Sequence, residues 1–304
     1  MRRLDLKRQL TSKQDEALRR PKPRHALVED FDPENVIHPY EDAEVYKEDG
    51  SLLFRVVAHA FEMGQVERAY EQLRSVKGDC TTRPEATGGN RELRPHADGS
   101  PSRQSRSSLS KVAEYKKNGC NADIFGYFDP TPQFKYCRQT AWTARDKKKG
   151  APVFRATMPL IVVADRIFQT VLPERHAFQL YHVADAIDFS LGNTCFSTVT
   201  VNKKLSTTYH RDQNDLKGGF GVMFTLGDFE GGQLVFPAFR CAVDYRPGSM
   251  ILAHVHETHG NLDNITGTRI TCVLYAREHI DKCGSAEDEE KKHAGKLVVH
   301  ARED

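Results

Sequence analysis

Long apolar runs are missing from this sequence of 304 residues. The longest, Met158 to Ala164, falls well short of the roughly 20 residues a membrane-spanning helix needs, and the opening Met-Arg-Arg-Leu-Asp-Leu-Lys-Arg holds no apolar signal region. A soluble, non-secreted protein with no membrane partner is expected. Cysteine is sparse: the seven residues (Cys80, Cys120, Cys137, Cys195, Cys241, Cys272 and Cys283) are odd in number and show no C-x-x-C spacing. That pattern argues against a disulfide framework and a structural zinc cluster, and for reduced thiols. Net charge is also nearly absent, since 44 Lys and Arg oppose 42 Asp and Glu. With 38% hydrophobic residues, part of the chain is expected to stay unburied.

The near-zero charge conceals an asymmetry. Residues 1–25 end in Arg19-Arg20-Pro21-Lys22-Pro23-Arg24 and are strongly basic. They read as an arm that packs no core and serves as a nucleic-acid contact or nuclear-localisation patch, which points to the nucleus. A strand over Leu52–Val57 and a helix over Gln65–Val76 follow, the latter with Val66, Ala69, Tyr70 and Leu73 on one face. Residues 86–110 lose all aromatics and most large aliphatics, and read as a mobile insertion. Helices are expected over Pro159–Leu172, with Pro159 in its first turn, and over Arg175–Ile187. From Cys195 the period turns extended: Thr198–Val201, Gly221–Thr225, Gly232–Phe236, Cys241–Tyr245, Ser249–His254 and Thr268–Tyr275 are six β-rich runs separated by Gly, Pro, Asp and Asn. That spacing implies an α+β protein whose jelly-roll core is flanked by helices.

His-x-Asp occurs at His96, His210 and His279, so the motif alone says little. Only His210-Arg211-Asp212 lies among the strands, with His259 and then Arg269 downstream. Two imidazoles and one carboxylate on one face of a metal leave sites open for a bidentate co-substrate and dioxygen, the arrangement of non-haem Fe(II) oxygenases. The guanidinium of Arg269 suits the far carboxylate of a dicarboxylate, and Thr271, two residues on, shares its strand face. His259, at the bend before Gly260-Asn261, is favoured as the second imidazole, while His254 and His256 alternate on one face with Met250 and Leu252 and stay as alternatives.

Thr198-Val199-Thr200-Val201-Asn202, Tyr209-His210-Arg211-Asp212-x-Asn214-Asp215, Gly218-Gly219, Gly227-Asp228-Phe229-x-Gly231-Gly232-x-Leu234, Tyr245-x-Pro247-Gly248, His259-Gly260 and Gly267-x-Arg269 resemble the 2-oxoglutarate/Fe(II) dioxygenases of the TET/JBP family. The likeness is strongest to stand-alone fungal, algal and protist members, which oxidise methylated bases in nucleic acid, and it runs from about Asp123 to Glu278. It implies a double-stranded β-helix, a dioxygenase domain over 51–280 between a lead-in over 1–50 and a charged tail over 281–304, and a base flipped out of methylated duplex DNA, most naturally 5-methylcytosine. It implies Fe(II) on His210, Asp212 and His259, and 2-oxoglutarate held by Arg269, Thr271 and Asn202, with ascorbate as the alternative co-substrate. Substrate contacts are expected from Asp215, from Arg138, Thr140 and Trp142 in the Cys137–Thr143 segment, and from the basic run Lys147, Lys148 and Lys149. N6-methyladenine, RNA or a protein side chain as substrate, and an inactive nucleic-acid-binding relative, are the competing readings.

Overall fold

A computed structural model of the chain describes residues 1–20, 22–74, 92–95, 101–106, 121–132, 134–140 and 150–293. In chain order the elements are β1 (Arg2–Leu6), α1 (Ser12–Arg19), β2 (Val36–Ile37), β3 (Ala43–Lys47), β4 (Leu52–Val57), α2 (Met63–Leu73), β5 (Glu92–Pro95), β6 (Pro101–Arg106), β7 (Asn121–Phe128) and β8 (Arg138–Gln139). There follow α3 (Gly150–Val171), α4 (Pro173–Ala184), β9 (Thr198–Lys203), β10 (Gly221–Leu226), β11 (Phe229–Glu230), β12 (Leu234–Phe236), β13 (Cys241–Val243), β14 (Met250–Ala253), β15 (Gly260–Asn261), β16 (Thr266–Gly267), β17 (Ile270–Tyr275) and α5 (Ala286–His293).

Nine strands form one sheet in the order β1-β3-β4-β14-β10-β17-β9-β7-β8, and a four-stranded sheet runs β15-β12-β13-β2. Successive strand residues point to opposite faces, and that alternation divides the core in two. Val222, Phe224 and Leu226 of β10, Ile270, Cys272 and Leu274 of β17, and Val199 and Val201 of β9 pack against Val66, Ala69 and Leu73 of α2 and Leu160, Ala164 and Phe168 of α3. On the other face Met223, Ile251 and Ala253 meet Leu234, Phe236 and Val243 of the smaller sheet. The helices present these side chains at three- and four-residue spacing, so a single stripe of each is apolar and covers the sheet. What remains of the inner face between β9, β17 and the smaller sheet is polar, and there the cleft opens.

Three expectations need correction. The helix predicted to begin at Pro159 runs through it, from Gly150 to Val171. Pro159 lies on the exposed side, where water can meet a carbonyl that has lost its donor. The N-terminal segment does not stand off as an arm: β1 pairs in parallel with β3, and Leu4, Leu6 and Leu10 pack against the core. Several of its cations are engaged in ion pairs, among them Arg2 with Glu41, Arg8 with Glu257, Arg19 with Asp15 and Arg24 with Asp30. Thr11 and Gln14 cap α1 reciprocally, the Gln14 amide donating to Thr11 Oγ1 and the Thr11 amide to Gln14 Oε1.

The thiols are the third correction. Cys137 and Cys283 form a disulfide with Cα atoms 5.7 Å apart, while Cys195, Cys241 and Cys272 are free and buried. The bridge joins the segment before β8 to the segment before α5, and Glu289 of α5 accepts from the Cys137 amide at 3.0 Å. With the cysteines 146 positions apart, the cross-link removes much conformational freedom from the unfolded chain, and a bridge of this kind contributes about 2–4 kcal/mol. Reduction with dithiothreitol is therefore expected to lower the melting temperature by several degrees, and Cys283→Ser to abolish that sensitivity. A melting curve indifferent to reductant in the unaltered protein would remove the bridge from the stability of the fold.

Candidate active site

Backbone pairing brings the two histidines face to face. The His210 amide donates to the His259 carbonyl at 2.9 Å and the His259 amide to the His210 carbonyl at 3.0 Å, while the Asp212 amide reaches the Val255 carbonyl at 3.1 Å. The register of this short bridge is thus fixed by main-chain atoms and not by the rings. Each ring is then turned the same way. His210 Nδ1 lies 2.7 Å from the Thr208 carbonyl oxygen and His259 Nδ1 2.9 Å from that of Glu257. A carbonyl only accepts, so Nδ1 carries a proton, and Nε2 is the nitrogen turned to the cleft. Both Nε2 atoms face Asp212, each 3.7 Å from one of its carboxylate oxygens. The ligand atoms of the three residues all lie within 4.8 Å of one another.

His254 and His256 go elsewhere. His256 Nε2 meets the Leu216 carbonyl at 3.2 Å, and the His254 ring packs near Phe220, where burial and the nearby Lys47 lower its pKa to about 4. Another group of ligand-type side chains, Asp165, His176 and Cys195, is closed on itself: Asp165 Oδ1 sits 3.0 Å from His176 Nε2 and accepts from the Cys195 amide at 2.9 Å. It ties α3 and α4 to the start of β9.

The cleft that the triad lines has walls that also include Asn202, Thr207, Tyr245, Asn261, Arg269, Thr271 and Tyr275. Thr271 and Asn202 are direct cross-strand partners of β17 and β9, on the inner face by alternation. Arg269, one residue before β17, is on the same face and 2% exposed. Its guanidinium donates to the carbonyls of Gly232 and Leu205 and makes no ion pair with the carboxylates of the described residues. Burial pushes its pKa down, so this cation is held at a cost that a bound carboxylate would offset. Asn202 Oδ1 is buried there without a hydrogen-bond partner among the described residues, and the Thr271 hydroxyl is buried beside the Tyr245 hydroxyl. Gly232 is required at its position: φ is +73°, and a Cβ would collide with Arg269 Nη1.

Asp215 also lines the cleft, 8% exposed, and pairs through its backbone with Arg277. Arg277 in turn donates from Nε to Asp129 Oδ1 at 2.6 Å. Arg138 and Thr140 are not among the cleft-lining residues. The Arg138 guanidinium stacks on the rings of Phe128, at 4.9 Å, and Phe134, at 4.3 Å, and the Thr140 amide donates to the Gly126 carbonyl. Trp142, Lys147, Lys148 and Lys149 lie outside the described residues. Tyr245, Tyr275 and Asn261 were not anticipated. For Tyr275 the signal was present, since it continues the alternation of Arg269, Thr271 and Val273. Asn261 offered none, because its Nδ2 bond to the Gly232 carbonyl at 3.0 Å closes between distant loops.

Known proteins resemble the chain over this same region. Thymine dioxygenase JBP1 of Trypanosoma brucei brucei is 31% identical over 166 residues, taking in 52% of this chain and 19% of that protein. Thymine dioxygenase JBP1 of Crithidia fasciculata is 32% identical over 171 residues, 53% of this chain and 20% of that protein. Bifunctional helicase and thymine dioxygenase JBP2 of Leishmania infantum is 29% identical over 183 residues, 58% of this chain and 16% of that protein. The matches thus span about a fifth or less of these relatives' length. A solved structure of NgTET1 in complex with 5mC DNA superposes with a TM-score of 0.56 at 17% identity, covering 86% of this chain and 90% of that one, and shares its fold. Residues 123–278, which carry the triad and Arg269, match Tet_JBP, the oxygenase domain of the 2OGFeDO superfamily, and the chain belongs to this family of 2-oxoglutarate- and Fe(II)-dependent dioxygenases.

Proposed function

We propose that this protein oxidises the methyl group of 5-methylcytosine in DNA, with Fe(II) held by His210, Asp212 and His259 and 2-oxoglutarate held by Arg269, Thr271 and Asn202. The observation that carries the reading is a cleft in which three converging ligand atoms share a wall with a buried arginine that makes no ion pair with the carboxylates of the described residues. The donor set suits Fe(II): two neutral imidazoles and one carboxylate leave coordination positions open. The buried cation suits the far carboxylate of 2-oxoglutarate, and Thr271 supplies a buried hydroxyl on the same strand face. When bound, the iron couples decarboxylation of 2-oxoglutarate, which yields succinate and CO2, to transfer of an oxygen atom from dioxygen onto the substrate methyl. The chain's own residues do the positioning. The Thr208 and Glu257 carbonyls hold the rings by Nδ1, Arg269 fixes one end of the co-substrate, and the apolar walls at Met223, Leu234 and Val273 limit water.

A methyl group inside a duplex cannot approach a ligand set this enclosed, so the base enters flipped out, at a cost of a few kcal/mol. Relatives named for thymine and a neighbour bound to 5mC DNA both concern 5-methylpyrimidines. Between the two, Asp215 favours cytosine. A carboxylate accepts from the exocyclic N4 amino group, where thymine presents a carbonyl. Arg138, Thr140, Trp142 and Lys147 to Lys149 are assigned by the same reading to contacts along the nucleic acid.

The test is a panel of oligonucleotides carrying 5-methylcytosine, thymine or N6-methyladenine, as DNA and as RNA, with succinate release and product mass followed together. Methylcytosine DNA is expected to give at least tenfold higher kcat/KM than the others, about 1.4 kcal/mol of discrimination. Preference for thymine would transfer the assignment to that base, and succinate without any oxidised oligonucleotide would point to another substrate class.

A further inference from the structure

Asp15 belongs to α1, far outside the matched residues 123–278, yet its side chain is completely buried behind the metal-ligand strands. Its Oδ2 accepts from Arg211 Nη2 at 2.6 Å, from Thr258 Oγ1 at 2.8 Å and from Arg19 Nη2 at 3.4 Å. Arg211 stands between His210 and Asp212, and Thr258 immediately precedes His259. Arg211 Nε also donates to Thr258 Oγ1 at 3.1 Å, so carboxylate, guanidinium and hydroxyl form a closed triangle across the two strands. Neighbouring bonds repeat the pattern. The Tyr209 hydroxyl donates to Asp30 Oδ2 at 2.7 Å, and the Tyr209 amide to the Arg24 carbonyl at 2.9 Å. Arg8 pairs with Glu257, whose carbonyl orients His259. The residues on both sides of His210, and the two before His259, are therefore all gripped by the first thirty residues.

We infer that the N-terminal segment is a clamp on the metal centre, and that Asp15 is a positioning residue which sets the separation of the His210 and His259 strands. The inference rests on the reading of His210, Asp212 and His259 as a metal site. A ligand set works only if held to within about 0.5 Å, and groups that orient ligands from behind contribute roughly 10- to 100-fold to metal affinity. Without the carboxylate, Arg211 and Thr258 keep each other but lose the anchor that joins them to α1, and the strands are free to drift apart.

The experiment titrates Co(II), a spectroscopic stand-in for Fe(II), into the full-length protein and records its absorption spectrum, with melting curves taken in parallel. Asp15→Ala is expected to weaken Co(II) binding about 10- to 100-fold and to alter the bound spectrum. Asp15→Asn, whose amide oxygen can still accept from Arg211 and Thr258, should recover most of the affinity. Leu10→Ala loosens the same segment by removing a core contact that leaves the triangle intact; it should lower the melting temperature and keep Co(II) affinity within twofold. Should Asp15→Ala fail to fold, Thr258→Val and Thr258→Ser make the same comparison, with loss expected for valine and retention for serine. Wild-type affinity in Asp15→Ala, or equal weakening in Leu10→Ala, would overturn the clamp and leave Asp15 a packing residue. His259→Ala separates this from the metal reading itself: if it binds Co(II) like the unaltered protein, the triad is not the site, whereas lost binding there with unchanged binding in Asp15→Ala defeats the clamp alone.

Discussion

His259→Ala is expected to abolish Fe(II)-dependent turnover while the fold survives. Orienting groups behind a ligand change metal affinity by up to about 100-fold, so loss of the ligand itself should exceed that. The fold survives because the pairing between residues 210 and 259 uses main-chain atoms, which alanine keeps. The ring lies against His210, 4.4 Å between centroids, and near Phe236, but it faces a cleft that water can enter. The space left behind is thus polar and hydrated, and the melting temperature should move by only a few degrees. His256→Ala is the matched control: its ring meets the Leu216 carbonyl away from the cleft, and activity should be retained. Comparable loss in the two variants, read as succinate release at saturating Fe(II), would shift the second imidazole to position 256.

Arg269→Ala is expected to raise the KM for 2-oxoglutarate roughly ten- to a hundredfold, since a charge-assisted bidentate contact contributes about 1.5–3 kcal/mol. In the protein without co-substrate two effects oppose each other. Alanine orphans the Leu205 carbonyl and leaves that of Gly232 with Asn261 Nδ2 alone, but it also removes a buried cation that has no ion pair among the described residues. The melting temperature is therefore a poor indicator here, and the increment on adding 2-oxoglutarate is a good one: it should vanish in Arg269→Ala. Arg269→Lys should be intermediate, because an ammonium keeps the charge and loses the planar fork. An unchanged KM would direct the search to ascorbate or to another cation.

That His210, Asp212 and His259 converge was legible in the sequence because the spacing that brings them together is short-range. His210 and Asp212 are two residues apart, and the bend at Gly260 singles out His259 from its neighbours. Arg269 and Thr271 followed from alternation along β17. The N-terminal segment was misread for the opposite reason. Composition shows nine cations crowded into residues 1–25 but not that Arg8 meets Glu257 or that Asp15 meets Arg211. Charge runs look solvated whenever the partners lie far along the chain. The Cys137–Cys283 bridge escaped similarly, since an odd count and a separation of 146 residues carry no local signature. The helix through Pro159 was mistaken because proline marks both a first turn and a tolerated exposed interior position, and only burial distinguishes them.

The pairing of β4 with β14, Val57 opposite Met250, sets the order in which the protein can assemble during its own synthesis. β1 and β3 reach the main sheet only through β4, and β4 has no sheet to join until residue 250 has left the ribosome. At 5–20 residues per second the wait is on the order of ten to forty seconds. Throughout it Leu53 and Phe54, both fully buried in the finished fold, lack the residues of β12 and β14 that complete their core. Slow, late-closing folding is expected of so non-local a topology.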